Sequence, residues 1–262
     1  MRNERTAMLL RSTCLAVIAC LGAAGFAATP PKKAADVPRL SDGKPDLNGI
    51  WQSLSGADVN LLDHVADRYA PGGQSVVEEG ELPYLPQARK QRHTNNANRE
   101  KSDPQTAKCN LPGVPRITYA HNLPFQIFQK PKGDRIVVLY EFAEAHRFLY
   151  TNGTPHPPGH INWNMGDSRS KWEGDTLVVD SVDFNDLTWF DHAGDFHSES
   201  LHVVERYRLL DADHLEYKVE VDDSKVYSKP WHINLVLYRR KEKNQQLLDY
   251  VCYAFDLAPY YP

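Results

Sequence analysis

The sequence lacks any strong bias of charge. Its 30 Lys and Arg stand against 34 Asp and Glu, a formal charge of -4 over 262 residues, with no long block of either sign. That balance excludes the basic footprint that nucleic acid or an anionic membrane surface requires. Beyond the first residues no segment nears the ~20 apolar residues of a membrane helix. Neither G-x-G-x-x-G nor a phosphate loop occurs, so no nucleotide is implied, and no motif demands any other cofactor. Gly166-Asp167-Ser168 begins like an esterase word but lacks the strand-to-helix elbow of G-x-S-x-G. Cysteine is scarce, at four residues.

What is present begins with an address. MRNERTAMLLR supplies a positive region, STCLAVIACLGAAGFA an apolar one, and Gly25 to Ala27 the small residues a signal peptidase accepts. Residues 1–27 therefore read as a signal peptide, and the chain as periplasmic or secreted. Val17-Ile18-Ala19-Cys20 also fits a relaxed lipoprotein box, but apolar residues continue past Cys20, which favours plain export over anchoring. Removal of the leader takes Cys14 and Cys20 with it and leaves Cys109 and Cys252. In an oxidising compartment these two can pair, or they can stay as buried thiols; the disulfide is the favoured reading.

Residues 28–46 (ATPPKKAADVPRLSDGKPD) carry no period and read as a linker, leaving 47–262 as a single domain. LNGIWQSL looks like a first strand, and QARKQRHTNNANREK like a short exposed helix or covering arm. From Pro115 on, short strand words alternate with turn words: RITYAH, FQIFQK, DRIVVLYEF, HRFLYT, SRSKW, TLVVDSVDF, SLHVVERYRLL, HLEYKVEVDD, WHINLVLYRR and LLDYVCYA. About ten antiparallel strands with few helices predict an all-β meander, closed as a barrel or folded as a sandwich. Gly49-Ile50-Trp51 resembles the G-x-W word that opens lipocalin-like (calycin-type) barrels.

Several strands place a carboxylate in an apolar stripe. Glu205 shares a face with Leu201, Val203, Tyr207 and Leu209; Glu141 with Val137 and Leu139; Asp180 with Val178, Val182 and Phe184. A buried carboxylate must find a partner or hold its proton, so Arg147, Arg206 and His146 are the expected partners. Such groups either brace the sheet or line a polar pocket in the barrel.

The words SKWEGDTLVVDSVDFNDLTWFD and HSESLHVVERYR, together with Pro45 to Trp51, Cys109 to Arg116, Pro124 to Gln129, Asp222 to Trp231 and Asp249 to Cys252, resemble a family of uncharacterised secreted bacterial proteins. The resemblance spans nearly the whole chain after the leader and implies export and a shared fold, with no activity attached. Ser170 stands where the family pattern has Gly, and Ser224 where it has Pro.

The long segment 183-DFNDLTWFDHAGDFHSES-200 reads as a lid on one barrel end. The function expected from these residues is cofactor-independent acid-base chemistry, of lyase, isomerase or cyclase type, on a small aromatic or amphipathic molecule. In that reading His197 or His146 is the base, Glu141 or Asp186 orients it and Arg147 steadies developing negative charge, while Trp189, Phe190, Trp163, Tyr119 and His232 face the substrate. Two alternatives stay open: a lipocalin-like binding protein without turnover, and a metal-dependent hydrolase using Asp191, His192, Asp195 and His197.

Overall fold

Apolar and polar residues alternate along each strand, and the alternation decides which edge turns inward. In the segment His214–Asp222, Leu215, Tyr217, Val219 and Val221 are buried while the residues between them are half-buried or exposed. The computed structural model describes residues 37–66, 70–159 and 161–250. Nine strands follow in chain order: β1 (Gly49–Ser53), β2 (Phe125–Phe128), β3 (Arg135–Tyr140), β4 (His146–Tyr150), β5 (Asp167–Glu173), β6 (Thr176–Val182), β7 (His202–Leu209), β8 (His214–Asp222) and β9 (Trp231–Arg239). Each pairs with the next, and β9 returns to β1 to close a barrel consistent with the lipocalin-like fold.

Two strand words and one strand pairing depart from expectation. RITYAH forms two short 3-10 turns, Arg116–Thr118 and Ala120–Asn122, because His121 and Asn122 take positive φ values that an extended strand cannot hold. LLDYVCYA contributes only an isolated bridge from Tyr250 to Phe142, and its last residues lie outside the described ones. The meander is also not wholly antiparallel, since β4 and β5 run parallel and share a single pair, Tyr150 with Arg169. The chain gets there by running outside the barrel along residues 151–159 and 161–166, and it leaves a thin seam in the wall.

The segment before β2 supplies the helices: α1 (Pro86–Ala97), α2 (Arg99–Ser102) and α3 (Pro104–Lys108). α1 is the covering arm expected there, burying only Ala88 and Asn95. Of the expected linker, residues 37–46 are not loose: Leu40 N–H donates to the Lys44 carbonyl at 2.9 Å, and Arg39 pairs with Asp175 at 2.6 Å. The expected Cys109–Cys252 pairing falls on Cys252, which lies outside the described residues, as do the leader and Cys20. Among the described residues no helix is long and apolar enough to cross a membrane.

The antiparallel order puts the β2–β3, β5–β6 and β7–β8 turns at one end, here the lower end. Trp51 seals it: the indole is fully buried, its N–H donates to the Leu47 carbonyl at 2.9 Å, and the Arg239 guanidinium from β9 lies 4.2 Å over the ring. Gly49 takes φ 131°, and a Cβ there would run into that guanidinium. We expect Gly49→Ala to destabilise the barrel by about 1–3 kcal/mol through backbone strain and displacement of Arg239. Urea denaturation checks this, and an unchanged midpoint would refute the tight approach.

Candidate functional site

The barrel interior carries one polar layer. Arg147 on β4 and Glu205 on β7 are 4% and 0% exposed, which makes their pairing obligatory. The guanidinium binds the carboxylate through both terminal nitrogens, Nη1 to Oε1 at 3.0 Å and Nη2 to Oε2 at 2.5 Å. Arg147 Nε donates to Ser168 Oγ at 2.9 Å and Nη2 to Ser181 Oγ at 2.8 Å. The hydroxyls of Tyr207 and Tyr217 donate to Glu205 Oε1 at 2.9 and 2.8 Å. Burial, followed by the Glu205 charge, raises the pKa values of both tyrosines well above the usual phenol range, so they remain donors. Below this layer the core between Phe125, Ile136, Val138, Leu177 and Tyr207 has no room even for water. Of the two roles expected for such groups, bracing the sheet or lining a pocket, the geometry fits the first: the layer is filled, and every group in it has a partner within it.

Open space lies instead on the outside, at the β4–β5 seam. A cleft of about 470 Å³ is lined by His146, Arg147, Phe148 and Tyr150 of β4, by Leu111, and by residues 163–168 leading into β5. Phe148 and Trp163 are 37% and 39% exposed there. The Asn185 side-chain amide donates to Asn164 Oδ1, while Asn164 Nδ2 has no partner among the described residues. Of the residues singled out from sequence, the cleft brings together His146, Arg147 and Trp163.

The 183–200 segment is a plug rather than a substrate-facing lid. Trp189, Phe190, Asp191, Ala193, Asp195 and His197 are all buried. Phe190 packs edge-on to Trp231 at 5.5 Å, and the Tyr119 hydroxyl donates to the Phe190 carbonyl at 3.0 Å, so Trp189, Phe190 and Tyr119 are core residues. His197 Nδ1 donates to the Ser198 carbonyl at 2.9 Å, leaving Nε2 to accept from Thr188 Oγ1 at 2.7 Å. Burial lowers its pKa and keeps the ring neutral.

The possible metal ligands of this loop face different ways. Asp191 accepts from Leu61 N at 2.9 Å and Asp195 N at 3.0 Å, while Asp195 Oδ1 accepts from the Tyr84 hydroxyl and from Arg92 Nε, both at 2.9 Å. Burial first, then the adjacent Asp195 charge, raise the Asp191 pKa well above the carboxylate range, while Asp195 Oδ2 has no hydrogen-bond partner among the described residues. His192 Nδ1 donates to Asp103 at 2.7 Å, and Asp103 also takes both terminal nitrogens of the buried Arg116 at 2.9 Å. Against the burial that would raise it, these bonds hold the Asp103 carboxyl well below its usual range. Among the described residues no three His, Cys, Asp or Glu side chains are arranged around a metal position.

The remaining candidates are scattered. Glu141, just past β3, is buried and accepts from Leu248 N at 2.9 Å. Asp186 is exposed on the plug. His232 lies on the outer face of β9, bonded through Nδ1 to Glu79 at 2.6 Å. A further group sits on the outer wall: His156 Nδ1 meets Asp167 at 2.6 Å, and His156 Nε2 and His202 Nε2 both meet Asp180 Oδ1, at 3.1 and 3.2 Å. The His202 bond, ahead of that of His156, lowers the Asp180 pKa. Asp180 in an apolar stripe was the available signal, but its stripe faces outward beneath the 151–156 segment.

No family model, curated protein or solved structure matches this chain.

Two outcomes follow from the buried charges. Glu205→Leu strands Arg147 and is expected to lose about 3–5 kcal/mol, with most of it recovered in the Arg147→Met/Glu205→Leu double variant; urea curves of equal midpoint for the single and double variants would contradict the pairing. Asp191, its folded pKa raised, contributes stability in full below its unfolded value of about 4, and that contribution fades as pH rises through the folded pKa. His192, likewise raised by Asp103, adds a decline at higher pH. Asp195→Asn removes the charge beside Asp191, so its unfolding free energy should fall less steeply as pH rises above about 4 than that of the parent. Parallel slopes would exclude that effect of the Asp195 charge on Asp191.

Proposed function

We propose that this protein binds a small aromatic or amphipathic molecule in the seam cleft, without a cofactor. The composition of the cleft carries this reading: Phe148, Tyr150 and Trp163 offer ring surface, Leu111 and Met165 add apolar wall, and His146 and Asn164 Nδ2 supply polar groups to orient a ligand. A volume near 470 Å³ falls in the usual range of about 300–1,000 Å³ for small-molecule sites. Two large aromatic side chains more than a third exposed in a concave wall are apolar surface that a ligand would cover. Binding is preferred to turnover because Glu141, Asp186 and His197, the groups meant to complete a proton relay, do not line the cleft.

Acid-base chemistry is the second reading, favoured by the position of His146 in the same cleft as Arg147. There His146 alone would move the proton, and Arg147, already engaged by Glu205, would contribute only its field. Export through residues 1–27 to the periplasm or beyond, and membership of the secreted family resembled by the KWEGDTLVVD and FNDLTW words, belong to the same proposal.

A thermal-shift screen of small aromatic acids, phenols and cyclic amphiphiles, followed by calorimetry, tests it. Trp163→Ala should weaken binding at least about tenfold, a loss of about 1.4 kcal/mol, while Asp186→Asn leaves it unchanged. A ligand recovered intact supports binding alone; one converted by the parent and not by His146→Gln supports the acid-base reading. Binding indifferent to Trp163→Ala would place the site elsewhere.

A further inference from the structure

A second cleft lies at the lower rim, apart from the seam. It encloses about 350 Å³ between residues 42–44, the β2–β3 turn, Arg135, Thr151 and Trp172. Four cations line it, Lys44, Lys130, Lys132 and Arg135, against one carboxylate, Asp42. That carboxylate forms no ion pair with them among the described residues. Its two oxygens accept main-chain N–H groups, from Lys132 at 2.8 Å and Lys44 at 3.2 Å, and the Lys132 bond leads in lowering its pKa. Asp42 thus pins together the backbone of two segments that carry lysines.

Lys44, Lys130 and Lys132 form no ion pair among the described residues; Lys44 Nζ lies 5.7 Å from the centre of the Trp172 ring, and Arg135 pairs with Asp134 at 3.0 Å. Elsewhere on the outer strand faces cations have acidic partners, as Lys171 and Arg206 have Glu173, and Arg208 has Glu216. Like charges gathered in a concavity raise their mutual repulsion, which an anion relieves. Main-chain bonds fix the rim: Thr151 Oγ1 donates to the Gly133 carbonyl at 2.7 Å, and Gly133 N–H to the Lys130 carbonyl at 3.1 Å.

We infer that this lower cleft binds a small, multiply charged oxyanion, a phosphate or sulfate group, with the Trp172 wall accommodating the body that bears it. Lysine suits the role as a compact point charge with three donors. The site is local, acting within a Debye length of about 8 Å, and so is compatible with the overall formal charge of -4.

Calorimetric titration of the purified protein with inorganic pyrophosphate and with sulfate, at low ionic strength, tests this. Lys130→Gln/Lys132→Gln removes two exposed charges and should weaken binding at least about tenfold with thermal unfolding unchanged. Lys90→Gln/Lys101→Gln removes the same charge from the helical arm and should leave the affinity as it was. Saturable binding of either anion with this pattern supports the site. Saturation by neither, or equal weakening in both double variants, would overturn it.

Discussion

The bidentate contact between Arg147 and Glu205 is the constraint around which the barrel is arranged. A charge pair at this depth is tolerated only if each remaining hydrogen-bonding position is met, and the surrounding residue choices follow. Ser168 and Ser181 are small and polar where neighbouring strands carry large apolar side chains, and they leave room for the guanidinium while accepting from it. Tyr207 and Tyr217 bring hydroxyls to Glu205 from adjacent strands. The layer joins β4, β5, β6, β7 and β8 in one set of bonds. It spans the seam where β4 and β5 share a single backbone pair.

That layer is one of three that fill the barrel. Trp51 and Arg239 close the lower end, the 183–200 plug with Tyr119 and Trp231 fills the upper end, and the polar layer lies between. Open space lies on the outer surface, where the crossover of residues 151–159 and 161–166 borders the seam cleft. Plug and arm are held by their own charge clusters, Asp103 with Arg116 and His192, and Asp195 with Arg92 and Tyr84. Histidines and aspartates that look catalytic in a linear sequence, such as His192 and Asp195, are engaged in these clusters.

Much of the fold is legible in the sequence. Period-two alternation reveals the β2 to β9 words, Gly49-Ile50-Trp51 marks the closing strand, and Glu205 in an apolar stripe requires a buried cation, with Arg147 among the partners it suggests. RITYAH misleads because its alternation survives in two 3-10 turns, whose burial comes from the Arg116 cluster rather than from a sheet face. The site is less legible. Trp189, Phe190 and His197 have the composition of a binding wall, but composition does not say whether a loop folds over a cavity or into it. The seam cleft depends on a parallel return that no local pattern announces, and the basic lower cleft on Lys44 meeting the β2–β3 turn from far away in the chain.

The central claim is that the interior is complete and that a ligand occupies the wall outside it. A crystal structure with a bound aromatic ligand tests this most directly. The account predicts density against Trp163, Phe148 and Tyr150, with the Arg147–Glu205 contact intact. Density inside the barrel among Val138, Leu177 and Tyr207, with that contact broken, would contradict it.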